Sequence, residues 1–283
     1  MSKGPVLVTG SSSGIGREIT EFLSSRGHVV YATARKAEDL ASLATLAHVV
    51  PFALEVTDPA SVEALGNRIR EEGNGLYGLV NNAGVASFGP LVETPAEEVQ
   101  RVLDVNLLGA HRLTSACFPF LRASHGRVVN ITSVEGFLTP VLDGAYVISK
   151  HALEAYTDIL RDELSPFGIR VSAIEPGGFQ SKLLINLVAG KGPEFLQSFH
   201  DSPYREMIEQ AVGVEMESEG GLELSKRPSP RPVAEAVEDA LYSRTPRVRY
   251  LVARSGDRGE VFDRVQSWMD QLRAEPAIPV AGD

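Results

Sequence analysis

The chain has 283 residues, of which 43% are hydrophobic and 23% charged, and it carries a formal net charge of −10. That composition can bury a sizeable core and excludes wholesale disorder, and an acidic chain without a basic stripe is a poor nucleic-acid binder. Its one cysteine, Cys117 in "LTSACFPFL", makes an intrachain disulfide impossible and reads as an inert core thiol.

Strand signals begin at once. "VLVTG" (6–10), "VVYATAR" (29–35), "VVPFALEV" (49–56), "GLVNNAG" (78–84), "GRVVNITS" (126–133) and "IRVSAIEPG" (169–177) are short β-branched runs that predict six buried strands, and "VRYLVA" (248–253) predicts a seventh. Helical periods lie between them. In "REITEFLSSRG" the stripe is Ile19, Phe22 and Leu23, with Gly27 as the stop. "SVEALGNRIREEG" (61–73) and "PAEEVQRVLDVNLLGAHRLTSACFPFL" (95–121) follow the same logic. Strand and helix in alternation imply a parallel sheet covered on both faces. The expected fold is α/β: a single doubly wound Rossmann-type domain over 1–273, with a seven-stranded parallel sheet.

One stretch breaks the rhythm. Residues 180–232 contain no clear strand. An apolar helical segment (193–212) is followed by an acidic, glycine-containing one (213–232), which reads as a lid or binding loop inserted at a strand end. Residues 274–283 read as a loose tail. Arg244, Arg247, Arg249, Arg254 and Arg258 read as the polar face and flanks of the last strand. No apolar run reaches a membrane span of about 18 residues, and "PVLVTG" begins after four residues, so the expectation is a soluble cytoplasmic protein.

The first strand ends in "TGSSSGIGRE". A glycine-rich turn from a buried strand into a helix N-terminus suits a pyrophosphate, because backbone N–H groups and the helix dipole point at the anion. The turn assigns Gly10, Ser12, Ser13, Gly14, Ile15 and Gly16 to a dinucleotide. The second strand ends in "YATARK", with no acid to bond an adenosine 2′-hydroxyl. Arg35 stands where a guanidinium would grip a 2′-phosphate, and Ser12 would add a hydroxyl, so NADP(H) is expected over NAD(H). Glu55 and Val56, after the third strand, would border the adenine. Six scattered histidines share no ligand spacing with carboxylates, and no metal is expected.

"AYVISK" sets Tyr146 four residues before Lys150, on one face of a helix. An ammonium there would favour the phenolate and lower the phenol's pKa towards working pH. Together "TGSSSGIG", "NNAG" (81–84), Asn106 in "DVNLLG", Ser133 in "ITS", "YVISK" (146–150) and "PGGF" (176–179) resemble the short-chain dehydrogenase/reductase family, in its compact subtype. "GLYGLVNNAG" and "SKHALEAYTDILRDELSPFGIRVSAIEPGGF" look most like the branch with retinol, 17β-hydroxysteroid and 3-hydroxybutyrate dehydrogenases.

The resemblance implies an NADP(H)-dependent oxidoreductase of alcohols and carbonyls. Tyr146 would be its general acid/base, and Lys150 would hold the nicotinamide ribose. Ser133 would bond the substrate oxygen, and Asn106 would anchor a water on Lys150. Asn82, Ala83 and Gly84 would support the adenosine ribose. Thr132, Pro176, Gly177, Phe179 and Ser181 would lie along the cofactor, Ser181 replacing a frequent threonine. Candidate substrate contacts are Ser133, Tyr146, Val134, Glu135, Val141 and Phe179. Phe137, Leu138, Leu183, Leu184, Leu187 and Phe195 are further candidate walls, which together point to a lipophilic substrate. Glu135 faces either solvent or a polar substrate group. The long helices at 95–121 and 145–165 imply a homodimer or homotetramer. A sugar-nucleotide epimerase would share the glycine turn and the Tyr–Lys pair, but on a longer chain with different glycine spacing. A catalytically silent dinucleotide sensor is the alternative from another class; such proteins often lose the tyrosine or lysine, and this chain keeps both.

Overall fold

A computed structural model describes residues 3–179, 199–217 and 228–274. Seven parallel strands form one sheet: β1 (Val6–Val8), β2 (Val30–Ala34), β3 (Val49–Ala53), β4 (Gly78–Asn81), β5 (Arg127–Ile131), β6 (Arg170–Pro176) and β7 (Arg249–Val252). Their order is β3-β2-β1-β4-β5-β6-β7, so the winding reverses between β1 and β4. Val6 sits opposite Val30 on one side and Gly78 on the other. The expected doubly wound α/β fold is therefore observed, with all seven strands.

Side chains alternate across the sheet, and each face has its own core. Val6, Val8, Val30, Ala32, Val80 and Val129 point to α1 (Gly14–Ser25) and α8 (Arg231–Tyr242), meeting Ile19, Phe22, Leu23, Val233, Val237 and Leu241. Leu7, Tyr31, Leu79, Val128 and Val171 point the other way. They meet Val62, Leu65 and Ile69 of α3 (Pro59–Glu72), Leu113, Cys117 and Leu121 of α5 (Gly109–Ser124), and Leu160 and Leu164 of α6 (Gly144–Leu164). Cys117 is buried, and burial pushes its thiol up to about 12. It is a core side chain.

Several elements differ from the sequence reading. The helix expected over 95–121 is two helices, α4 (Ala96–Leu103) and α5, joined by a π-helical turn at Asp104–Leu108. Helix α2 (Ala37–Ala44), helix α8 and helix α9 (Ser255–Ala274) were not anticipated. In α2 the only buried residue is Leu43, so its apolar stripe is short. The strands stop earlier than expected. Residues 9–10, 82–84, 132–133 and 177 leave the ladder and form the crevice beyond the strand ends. Within the expected insertion, 199–217 is described. Helix α7 (Arg205–Glu217) packs there, and Phe88, Leu142, Phe199, Tyr204 and Ile208 form a small separate apolar cluster. The tail from 275 lies outside the described residues. No helix among those described is long and apolar enough to cross a membrane.

Candidate active site

The reversal of strand order opens a crevice at the carboxyl ends of β1 and β4, where doubly wound sheets bind their ligands. The glycine turn lies at its floor. Gly10 and Gly14 have φ of 68° and 57°, a region that favours glycine. A Cβ on Gly16 would lie 2.3 Å from the Gly10 carbonyl oxygen and 2.4 Å from Asn82 Nδ2, so any side chain would force turn and helix apart. Ser13 caps α1 in extended conformation without a side-chain cap bond, and the first turn has no acid. The helix therefore presents N–H groups and positive dipole with no competing carboxylate, which fits a dinucleotide's pyrophosphate.

Residues flanking the motif hold this turn in place. Thr9 Oγ1 accepts from the N–H groups of Asn82 and Ala83, both at 2.8 Å, and Asn82 Nδ2 donates to the Thr9 carbonyl at 2.8 Å. Gly10 N donates to Thr33 Oγ1, and Thr20 Oγ1 donates to Ser11 Oγ. "NNAG" is thus a brace between β1 and β4. Asn81 extends it through Asn130 to Thr157 on α6, each bond 2.8 Å. Thr9, Ser11, Thr20 and Thr33 escaped the sequence reading, because a buried hydroxyl in a strand, turn or helix looks in sequence like an ordinary surface one.

Along the adenosine side, Arg35 is 71% exposed and its Nη1 lies 3.4 Å from Glu55 Oε2. The Glu55 carboxylate also accepts from Thr57 N at 3.2 Å and Thr57 Oγ1 at 3.0 Å. Burial opposes its charge, but the Thr57 bonds and Arg35 outweigh it and hold its pKa below the ordinary value. Val56 is buried against Gly109, where a Cβ would meet it at 2.9 Å. Ser12 is exposed at the turn.

Ser133, Tyr146, Lys150 and Asn106 come together at the ends of β4 and β5. Lys150, 5% exposed, donates from Nζ to the Ile131 carbonyl at 2.9 Å and lies 5.4 Å from the Tyr146 ring centroid. Burial lowers its pKa to about 8, against the opposing pull of Glu154 and Glu135. Ser133 caps the short turn Val134–Gly136, its Oγ accepting from Glu135 N at 3.1 Å. Asn106 lies in the π turn. Its Nδ2 donates to the Val85 carbonyl (2.9 Å) and Ser149 Oγ (2.8 Å), and its Oδ1 accepts from Val85 N (2.8 Å). The side chain thus ties three segments together, and the wider π turn places it there.

The Tyr146 phenol corrects an expectation. The sequence reading has Lys150 lowering its pKa. In the structure burial raises it, Glu135 and Asp143 raise it further, and only the Ser133 hydrogen bond pulls it back. Desolvation of the half-buried side chain is the largest cause, and two carboxyls are its electrostatic neighbours.

Those carboxyls are the unexpected feature of the substrate side. Glu135 Oε2 is shielded from solvent and has no hydrogen-bond partner among the described residues. Burial and then Asp143 push the Glu135 pKa up to about 7, with Lys150 opposing, and burial pushes Asp143 up to about 6. Of the expected pocket residues, Val134 is buried and Val141 is 65% exposed. Phe179 is buried in the core on the α1 and α8 side. Thr132 is buried, its Oγ1 donating to the Ile174 carbonyl at 2.9 Å. Pro176 ends β6, and Gly177 N donates to the Val252 carbonyl at 2.9 Å. Ser181, Leu183, Leu184, Leu187 and Phe195 lie outside the described residues.

Behind the site, Arg249 is more than a strand-face residue. Its Nη1 reaches Glu154 Oε2 and, at 3.0 Å, Glu175 Oε1, while Nη2 bonds Asp158 Oδ2 at 2.7 Å. Glu154 and Glu175 side chains are only 7% and 4% exposed. Glu154 is one helical turn past Lys150, and Gly136 packs on its Cγ. The cluster therefore joins α6, β6, β7 and the Ser133 turn. The only sequence signal was Glu154 and Asp158 at i,i+4 spacing on α6. Among the described residues, no group of three or more His, Cys, Asp or Glu could hold a metal ion.

Comparison with known proteins agrees with this geometry. The short chain dehydrogenase family profile matches residues 5–192. The chain is 35% identical to mouse retinol dehydrogenase 5 over 87% of its length and 79% of that protein. It is 34% identical to bovine mitochondrial D-beta-hydroxybutyrate dehydrogenase, over 87% of this chain and 75% of that one. A solved short-chain dehydrogenase from Streptomyces avermitilis superposes with a TM-score of 0.72 at 29% identity, covering 97% of this chain and 94% of that one.

Proposed function

Because the chain belongs to the short-chain dehydrogenase family, and is therefore an oxidoreductase of CH–OH groups that takes a nicotinamide dinucleotide, we propose that it interconverts a lipophilic alcohol and its carbonyl compound with NADP(H) and Tyr146 as the proton-transferring acid/base. The observation that carries this is the buried Lys150 ammonium, fixed on the Ile131 carbonyl one turn below the Tyr146 phenol, with Ser133 beside it.

The bound dinucleotide supplies or accepts the hydride. The chain's own residues manage the proton and the oxygen. Ser133 Oγ–H and Tyr146 Oη–H would both donate to the substrate oxygen, stabilising the negative charge that grows on it during reduction. Tyr146 then releases its proton to that oxygen. A phenol held above its ordinary pKa stays protonated at neutral pH but is a weaker acid, so its release of the proton depends on stabilisation of the phenolate that forms. Lys150 places a positive charge beside the phenolate that results. Asn106 holds the Val85 backbone and Ser149, which fixes α6 against the crevice.

The glycine turn and uncapped α1 would take the pyrophosphate, and Arg35 the 2′-phosphate. Arg35 is exposed and, among the described residues, held only by a 3.4 Å contact with Glu55, so it is available to a stronger anion. Phe88, Leu142, Phe199, Tyr204 and Ile208 support the lipophilic reading, because they gather apolar surface beside Asp143. Leu108, Ile148 and Ile159 are exposed on or next to the two long helices, which supports homo-oligomerisation through that face. A cytoplasmic location completes the reading. Its test is kcat/KM with NADPH and with NADH for wild type and Arg35→Ala. The expected result is a wild-type preference for NADPH that falls about tenfold or more in the variant, the loss of one charge-assisted contact of about 1.5–3 kcal/mol. Equal losses for both cofactors would remove the assignment.

A further inference from the structure

We infer that Glu135, with Asp143 beside it, sets the charge selectivity of the substrate pocket: the site accepts a substrate with a hydrogen-bond donor, hydroxyl or ammonium, near the reacting carbon and rejects a carboxylate. The inference deepens the proposed function and rests on its placement of the substrate oxygen at Ser133 and Tyr146.

Three observations carry it. Glu135 is two residues past Ser133, in the turn that Ser133 itself caps, so its backbone is fixed relative to the substrate oxygen. Its Oε2 is shielded from solvent with no partner among the described residues. Buried polar atoms are nearly always paired, and an orphan this close to Ser133 is a position that a ligand's donor can fill. Third, the carboxyl acts electrostatically on Tyr146 and Lys150, which places it at the reacting end of the pocket.

The charges around Glu135 can be followed element by element. Asp143, at the start of α6, adds a second acid. Tyr146 and Lys150 face it from the same helix. Glu154 lies under Gly136 and is engaged by Arg249, which also lies 5.5 Å from the Phe137 ring. On α9, Arg264 reaches Thr139 Oγ1 at 3.5 Å. Among the described residues Lys150 is the cation that acts on Glu135, and its Nζ is committed to the Ile131 carbonyl. A substrate carboxylate would therefore meet two acids. A substrate ammonium or hydroxyl would complete the unpaired Oε2.

Glu135 titrates at about 7, so the discrimination depends on pH. Protonated Glu135 tolerates an anion; ionised Glu135 repels it. The selectivity grows as pH rises through about 7.

The test is equilibrium binding of decylamine, 1-decanol and decanoate to the NADPH-loaded enzyme, in wild type, Glu135→Gln and Asp143→Asn, at about pH 6 and about pH 8. Amine and carboxylate probes keep their charges across that range. In wild type at the higher pH, decylamine or decanol binds at least about tenfold more tightly than decanoate, and the gap narrows at the lower pH. Which of the two binds tighter identifies the donor as ammonium or hydroxyl. Glu135→Gln brings all three within about threefold and reduces the pH dependence to the part that Asp143 and Lys150 contribute, and Asp143→Asn gives a smaller change of the same sign. Decanoate binding as well as decanol in wild type at the higher pH, an unchanged order in Glu135→Gln, or no binding of any probe would each overturn the inference. Turnover of a ketone panel by the same samples is read separately. No turnover with the binding order intact refutes the proposed activity and leaves the charge selectivity standing.

Discussion

Replacing Lys150 by methionine should make the protein more stable and nearly inactive. Burial lowers the lysine's pKa from 10.5 to about 8. At about 1.36 kcal/mol per pKa unit, holding this ammonium in the folded protein costs about 3 kcal/mol at neutral pH. Methionine has similar length and no charge. Its cost is the Nζ–Ile131 hydrogen bond, worth about 1 kcal/mol. The net gain is about 2 kcal/mol, a rise in Tm of several degrees for a domain of this size. The gain has a definite pH dependence. Between about pH 8 and 10.5 the unfolded chain binds the lysine proton and the folded chain has released it, so wild-type stability rises with pH through that window. The variant lacks this rise, so its advantage is largest below about pH 8 and closes towards pH 10. Calorimetric unfolding of both proteins across that range, with turnover measured alongside, gives both quantities. A variant less stable than wild type at neutral pH, or an advantage that does not change with pH, would refute the reasoning about the buried charge.

Gly16→Ala should lose cofactor affinity and stability together, because its Cβ would sit 2.3 Å from the Gly10 carbonyl. Overpacking of this kind costs about 1–3 kcal/mol, measurable as a lower Tm and a weaker NADPH Kd. Asn106→Ala should destabilise by about 1–3 kcal/mol, since it leaves the Val85 N–H and carbonyl without their partner, and should lower kcat more than it raises the cofactor's Kd. A loss of cofactor binding as large as the loss of kcat would place Asn106 elsewhere.

Much of the fold was legible because a parallel sheet buries both faces, so its strands stand out as short β-branched runs such as "VLVTG" and "GRVVNITS". The glycine turn was legible because positive φ leaves few residue types free to occupy it, whereas the Tyr146–Lys150 spacing is ambiguous alone and became legible through the resemblance that the six motifs carry together. Charge in three dimensions was not legible. Arg249 looked like a solvated strand residue, but it reaches Glu154 and Glu175 across two other elements. The Tyr146 phenol was expected to be acidified by its neighbour, but the result depends on how completely the folded chain encloses it and on Asp143 and Glu135. Neither quantity exists in a linear sequence. The π turn at Asp104–Leu108 was equally hidden, since one extra residue in a helical turn barely disturbs an amphipathic pattern.

The most direct measurement is Tyr146→Phe assayed for NADPH oxidation by lipophilic ketones and for NADPH binding in the same preparation. The account predicts turnover reduced by about 10²–10⁴-fold or more, with cofactor affinity within about threefold of wild type. A variant that keeps a tenth or more of wild-type turnover while binding NADPH normally would contradict it.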